Sequence, residues 1–132
     1  MTRTLLAALL VFTLPAFLRA ADKEPNADQF ASICSTAKAM DESPDGKAYE
    51  ARFSDAISND MVKALQACGT LSKPPYWVNL VFVIGGNGKV EHVFAEPGNP
   101  VSGCVAAKLT GVKLPKPPKG EWLQLVNINV HL

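Results

Sequence analysis

The sequence predicts an α+β fold in which N-terminal helices precede a small three-stranded antiparallel sheet, β-β-α-β, with a helix packed on one face. Three observations carry that prediction. Apolar residues recur at three- and four-residue spacing through the first half of the chain. A two-residue period runs through residues 77–84, where one face is more apolar than the other, and again through residues 121–132. Between the first of these stretches and Val90 stands Gly85-Gly86-Asn87-Gly88, a run that signals a tight hairpin.

The chain begins with a leader pattern. Arg3 is followed by an apolar run to Leu18 and then Arg19-Ala20, the marks of a secretory signal peptide over residues 1–20. Pro15 and Arg19 cut the run below the roughly 20 apolar residues of a spanning helix. The expectation is one exported domain over residues 21–132, periplasmic or secreted, with a helical part at 26–69 and a sheet part at 76–132. This length has room for one core and not two. Without Arg3 and Arg19, eleven basic residues face twelve acidic ones, and nine of the acidic ones lie in residues 22–60. The basic residues beyond the leader are lysines apart from Arg52, scattered and without interleaved aromatics. That pattern gives no nucleic-acid footprint.

Asn26 and Gln29 have the spacing of a helix cap, and Phe30, Ile33, Cys34, Ala37 and Met40 form one apolar stripe. The helix is expected to end near Met40, because residues 41–46 contain Ser-Pro and Asp-Gly, both turn formers. A second stripe follows at Tyr49, Phe53, Ile57, Met61, Leu65 and Cys68, with Gly69 as its expected C-cap. Ser58-Asn59-Asp60 compete for backbone hydrogen bonds and are expected to split it. After a linker over 71–75, Val78, Leu80, Phe82 and Ile84 point to one side of the first strand. Asn87 and the glycines beside it take the positive φ of the turn. Val90, Val93 and Ala95 do not keep one parity, so a bulge is expected near His92. Residues 101–109 read as a short helix, and Leu114-Pro115-Lys116-Pro117-Pro118 as an extended connection. In the last strand Val126, Ile128 and Val130 join the buried side. Trp77 and Trp122 are both expected inside.

In order, these motifs are Cys68, the strand from Val78 to Ile84, Asn87-Gly88-Lys89-Val90, Cys104-Val105, Leu114-Pro115-Lys116-Pro117 and a terminal alternating strand. The series resembles the TonB C-terminal-like domain, most closely the variant called the AgmX/PglI C-terminal domain, over about residues 61–132. The resemblance implies the fold, export in a two-membrane bacterium, and binding of a cell-envelope protein, an outer-membrane protein among the candidates. It also implies that the last strand takes up the partner by strand addition. The outward residues of that strand are Leu125, Asn127, Asn129 and His131. Pairing of the strand with a second copy is the competing use of the same edge.

Three cysteines in an exported chain favour one disulfide and one leftover thiol. Cys68 ends a helix that leads into the first strand, and Cys104 lies in the helix placed over the same sheet. Cys68–Cys104 is therefore the expected bond, with Cys34–Cys68 its competitor. The spacing of the cysteines matches neither a zinc site nor a Cys-x-x-Cys redox pair, and no cofactor is implied. The expected function is a non-catalytic binding module. Its alternative is a small thiol-active or hydrolytic enzyme using Cys34 or His92 and His131, the two imidazoles of the chain.

Overall fold

The computed structural model describes residues 24–131, and the expected signal segment at 1–20 lies outside them. Helix α1 spans Ala27–Glu42. It opens with a reciprocal cap: the Asn26 side chain accepts the Gln29 N–H at 2.8 Å, and the Gln29 side chain accepts the Asn26 N–H at 2.9 Å. Only Ser43 separates α1 from α2, which spans Pro44–Cys68. The loop expected at 41–46 is therefore a corner of one residue. Ser-Pro acts here as a start signal, because Pro44 occupies the first helical position and the Ser43 hydroxyl accepts the Gly46 N–H at 3.0 Å. The same hydroxyl donates to Met40 O at 2.6 Å. A Cβ at position 46 would lie 2.2 Å from Met40 O, so the corner closes only around glycine.

Two further expectations for α2 are corrected. The helix runs unbroken through Ser58-Asn59-Asp60 for 25 residues. Ser58 and Asn59 face solvent, and Ser58 Oγ bonds back to Asp55 O at 3.1 Å, so the polar trio decorates the helix without ending it. Gly69 has φ −66°. It continues into a 3-10 turn over Gly69–Leu71 and does not form a left-handed cap.

The sheet has strands β1 (Tyr76–Ile84), β2 (Val90–Ala95) and β3 (Trp122–Val130) in the order β2-β1-β3, all antiparallel. Helix α3 (Pro100–Leu109) connects β2 to β3. The β1–β2 turn differs from expectation in one detail. Among its residues only Gly88 has positive φ, at 90°, while the Asn87 side chain accepts the Lys89 N–H at 3.0 Å. The expected bulge is present, because pairing shifts between Val83↔His92 and Ile84↔Val90 and leaves Glu91 unmatched.

Central strand β1 is buried on both sides. On one face, Val78, Leu80, Phe82 and Ile84 pack with Val90, Val93 and Trp122 beneath α2 and α3. Phe82 and Phe53 meet edge to face at 5.2 Å. On the other, Val81, Val83, Phe94 and Leu123 pack under Phe30, Ile33 and Ala37 of α1. The α+β architecture is thus as expected, but helices lie on both faces of the sheet where one covered face was expected. Cys68 and Cys104 form a disulfide, with sulfurs 2.06 Å and Cα atoms 5.8 Å apart, which is compatible with an exported protein. The proline-rich segment is an anchored connection: Leu114 N–H bonds Gly88 O at 2.8 Å, and the Tyr49 hydroxyl donates to Pro115 O at 2.8 Å.

Candidate functional site

A three-stranded sheet has two edges, and the chain treats them differently. At the β2 edge, Val90 N–H bonds Val112 O at 2.9 Å and Gly111 N–H bonds Val90 O at 2.8 Å, so the segment after α3 takes up the start of the strand. Where β2 has ended, the exposed side of β1 is also covered. Asn79 N–H donates to Ser102 Oγ at 3.0 Å, and Asn99 Nδ2 donates to Trp77 O at 2.8 Å. Ser102 is fully buried, which makes this acceptor part of the interior.

Strand β3 forms the opposite edge. Leu125 N–H donates to Asp41 Oδ2 at 2.9 Å, so its backbone points away from β1. In an antiparallel ladder, residues alternate between facing the neighbour strand and facing outward. Asn127, Asn129 and His131 therefore direct their N–H and C=O groups outward with Leu125, the set expected from the sequence. Among the described residues, no hydrogen bond from another element reaches the backbone of Asn127 or Asn129. Both are exposed, as is His131. The strand contains no charged residue and no proline, and those are the usual devices that blunt an edge.

The flanks of this edge are partly apolar. Trp77 pairs with Asn129 and Asn79 with Asn127, so these four residues share the face that α1 covers only further along. Trp77 is 54 % exposed, whereas Trp122 is buried, so the expectation of two interior tryptophans holds for one. On the opposite face Val126 and Ile128 pack against the core yet stay partly open beside the edge.

Asp41 is a site residue that composition concealed, since its stretch reads as a loop. Its Oδ1 is buried and has no hydrogen-bond partner among the described residues. Burial is the main force pushing its carboxyl pKa up to about 6, and the charge of Glu50 adds to it. The Leu125 N–H and the nearby Trp122 indole oppose the shift. That indole N–H is itself directed to Gln124 Oε1, at 3.2 Å.

The residues of the enzymatic alternative are dispersed. His92 faces Val83, with its ring against Phe94 at 4.5 Å, while His131 follows the β3 residue paired with Tyr76. At the rise of a strand these ends of β1 are about 23 Å apart. Cys34 is the free thiol, half-buried on α1. Burial first, and then the charge of Glu96, push its pKa up, which disfavours the thiolate. Among the described residues no group of three or more His, Cys, Asp or Glu converges as a metal site, and no helix is long and apolar enough to cross a membrane. No protein family, curated protein or solved structure matches the chain.

Proposed function

We propose that this chain is a non-catalytic exported module that binds an extended segment of a cell-envelope protein by strand addition to β3. The observation that carries the reading is the outward, unpaired backbone of Asn127 and Asn129 on an uncharged edge strand. An added strand would gain main-chain hydrogen bonds there. Its side chains would cover Val126 and Ile128 on one face and approach Trp77 on the other. The bonding of Val90 at the start of the β2 edge, and of Asn79 beyond its end, favours β3, and the disulfide supports a periplasmic or secreted location. The ordered motifs that resemble a TonB C-terminal-like domain favour an outer-membrane protein as partner.

The test uses Asn127→Pro. Because the Asn127 N–H points away from β1, this change removes an edge donor without taking a bond from the β1–β3 ladder. Protein captured from native envelope by the wild type, and slowing amide exchange at Asn129 in the purified complex, should be lost with the variant. Capture that survives in a variant with wild-type near-UV circular dichroism overturns the reading. A second copy is the other occupant that β3 itself favours. Paired antiparallel about Ile128, two β3 strands would place Asn127 opposite Asn129 and keep Val126, Ile128 and Val130 on one face. Sedimentation velocity across a concentration series distinguishes this occupant, since Asn127→Pro should then abolish a dimer.

A further inference from the structure

We propose that Asp41 is a stop that sets the register of strand addition, confining an incoming chain to the edge from Asn127 to His131 by occupying the Leu125 N–H. The inference rests on the strand-addition reading above. Leu125, Asn127, Asn129 and His131 are successive outward positions of one strand, and the Asp41 carboxylate takes the first of them at 2.9 Å. A strand that continued along β3 would have to present a carbonyl to the same N–H and displace the carboxylate. A charged acceptor binds an amide more strongly than a carbonyl does, so the exchange is unfavourable.

The carboxylate is also held in place. Asp41 lies in the last turn of α1, immediately before the corner that Ser43 caps on both sides. Gly46 packs against the carbonyls of Met40 and Asp41, within 2.7 Å of Asp41 O for a built Cβ, so that backbone has little room to shift. The second oxygen, Oδ1, is buried and unpartnered among the described residues. What remains open is about 15 Å of edge, the length of five strand residues. The fitting partner segment is accordingly short, extended and alternating, and turns away before Leu125.

Backbone amide exchange followed by NMR on the full chain tests this in two steps. Without ligand, the Leu125 amide should exchange slowly and those of Asn127 and Asn129 fast. In Asp41→Ala the Leu125 amide should exchange at least about tenfold faster, the factor for loss of a hydrogen bond to a charged group. Val126 and Ile128, which face β1, should be unchanged and so report an intact sheet. Asp41→Asn keeps an acceptor and should retain most of the protection. The probe in the second step is a synthetic peptide of residues 122–131 with two lysines appended for solubility. It should slow Asn127 and Asn129 in both proteins, slow Leu125 in Asp41→Ala, and bind that variant about tenfold more tightly than the wild type. Equal or weaker binding to Asp41→Ala, with Asn127 and Asn129 slowed in both, overturns the stop alone. Absence of protection at Asn127 and Asn129 both with this peptide and in the complex captured from native envelope overturns the edge reading itself, whatever the exchange of Leu125.

Discussion

Replacing both Cys68 and Cys104 by alanine should cost this domain a large share of its stability. The two residues are 36 positions apart and the loop between them holds β1 and β2. In the chain-entropy account, cross-linking a loop of that size removes about 13 cal/mol/K from the unfolded ensemble, or about 4 kcal/mol at 25 °C. Alanine preserves both Cβ atoms, so the packing loss is limited to two sulfurs in a region where Cys68 is fully buried; this adds about 1 kcal/mol. A domain of this size has about 5–15 kcal/mol in total. Urea unfolding, followed by the fluorescence of buried Trp122, reads the change directly. With a slope of about 1.3 kcal/mol/M, the midpoint should fall by about 4 M. Wild-type protein unfolded in the presence of a reductant should approach the variant. A midpoint within about 0.5 M of the oxidised wild type would refute the argument, because the loop constraint would then be absent or matched by residual structure in the unfolded chain.

Asp41→Asn should remove a pH dependence. The folded-state pKa, about 6, lies above the ordinary carboxyl value of 3.8, so the folded chain binds more protons between these limits and stability falls as pH rises from 4 to 6. For a half-buried group, discounted for solvent screening, the wild type should lose about 1 kcal/mol relative to the variant over that range; parallel urea curves at pH 4 and pH 7 would contradict this. Ser102→Ala should destabilise by about 1–3 kcal/mol by leaving the Asn79 N–H without its acceptor, measured by thermal or urea unfolding. Cys34 should alkylate with iodoacetamide at pH 7.5 at least about tenfold more slowly than free cysteine, since its raised pKa and burial both suppress the thiolate. Fast alkylation would instead favour the thiol-active alternative.

Much of the fold was legible because the periodicities are clean. Val78, Leu80, Phe82 and Ile84 share one parity, which assigns them to one face, whereas the burial of Val81 and Val83 on the other face depends on α1. The stripe from Tyr49 to Cys68 likewise placed α2 and its disulfide cysteine. The corner at Ser43 was obscured because the same residue types mark turns and helix starts, and only the position of Gly46 against Met40 O distinguishes the two. Trp77 was misjudged because its burial depends on how far α1 reaches along the sheet, a tertiary fact that strand parity does not contain. The outward set on β3 followed from alternation. The engagement of Leu125 by Asp41 did not, since it joins residues 84 positions apart.

The disulfide also divides the molecule mechanically. Residues 68 to 104 form a covalent ring around β1, β2 and the first half of α3, while β3 lies beyond it and is held to β1 by the ladder, side-chain packing and the Asp41 contact alone. Tension applied through a chain bound to β3 would load the β1–β3 ladder before the ring itself. It would draw β3 from the ring, starting at Val130 and Ile128, where α1 does not cover the sheet. The disulfide-closed ring and the strand proposed to take up a partner are thus mechanically separate parts of one small domain, and the β1–β3 ladder would set the force that a chain added to β3 could bear.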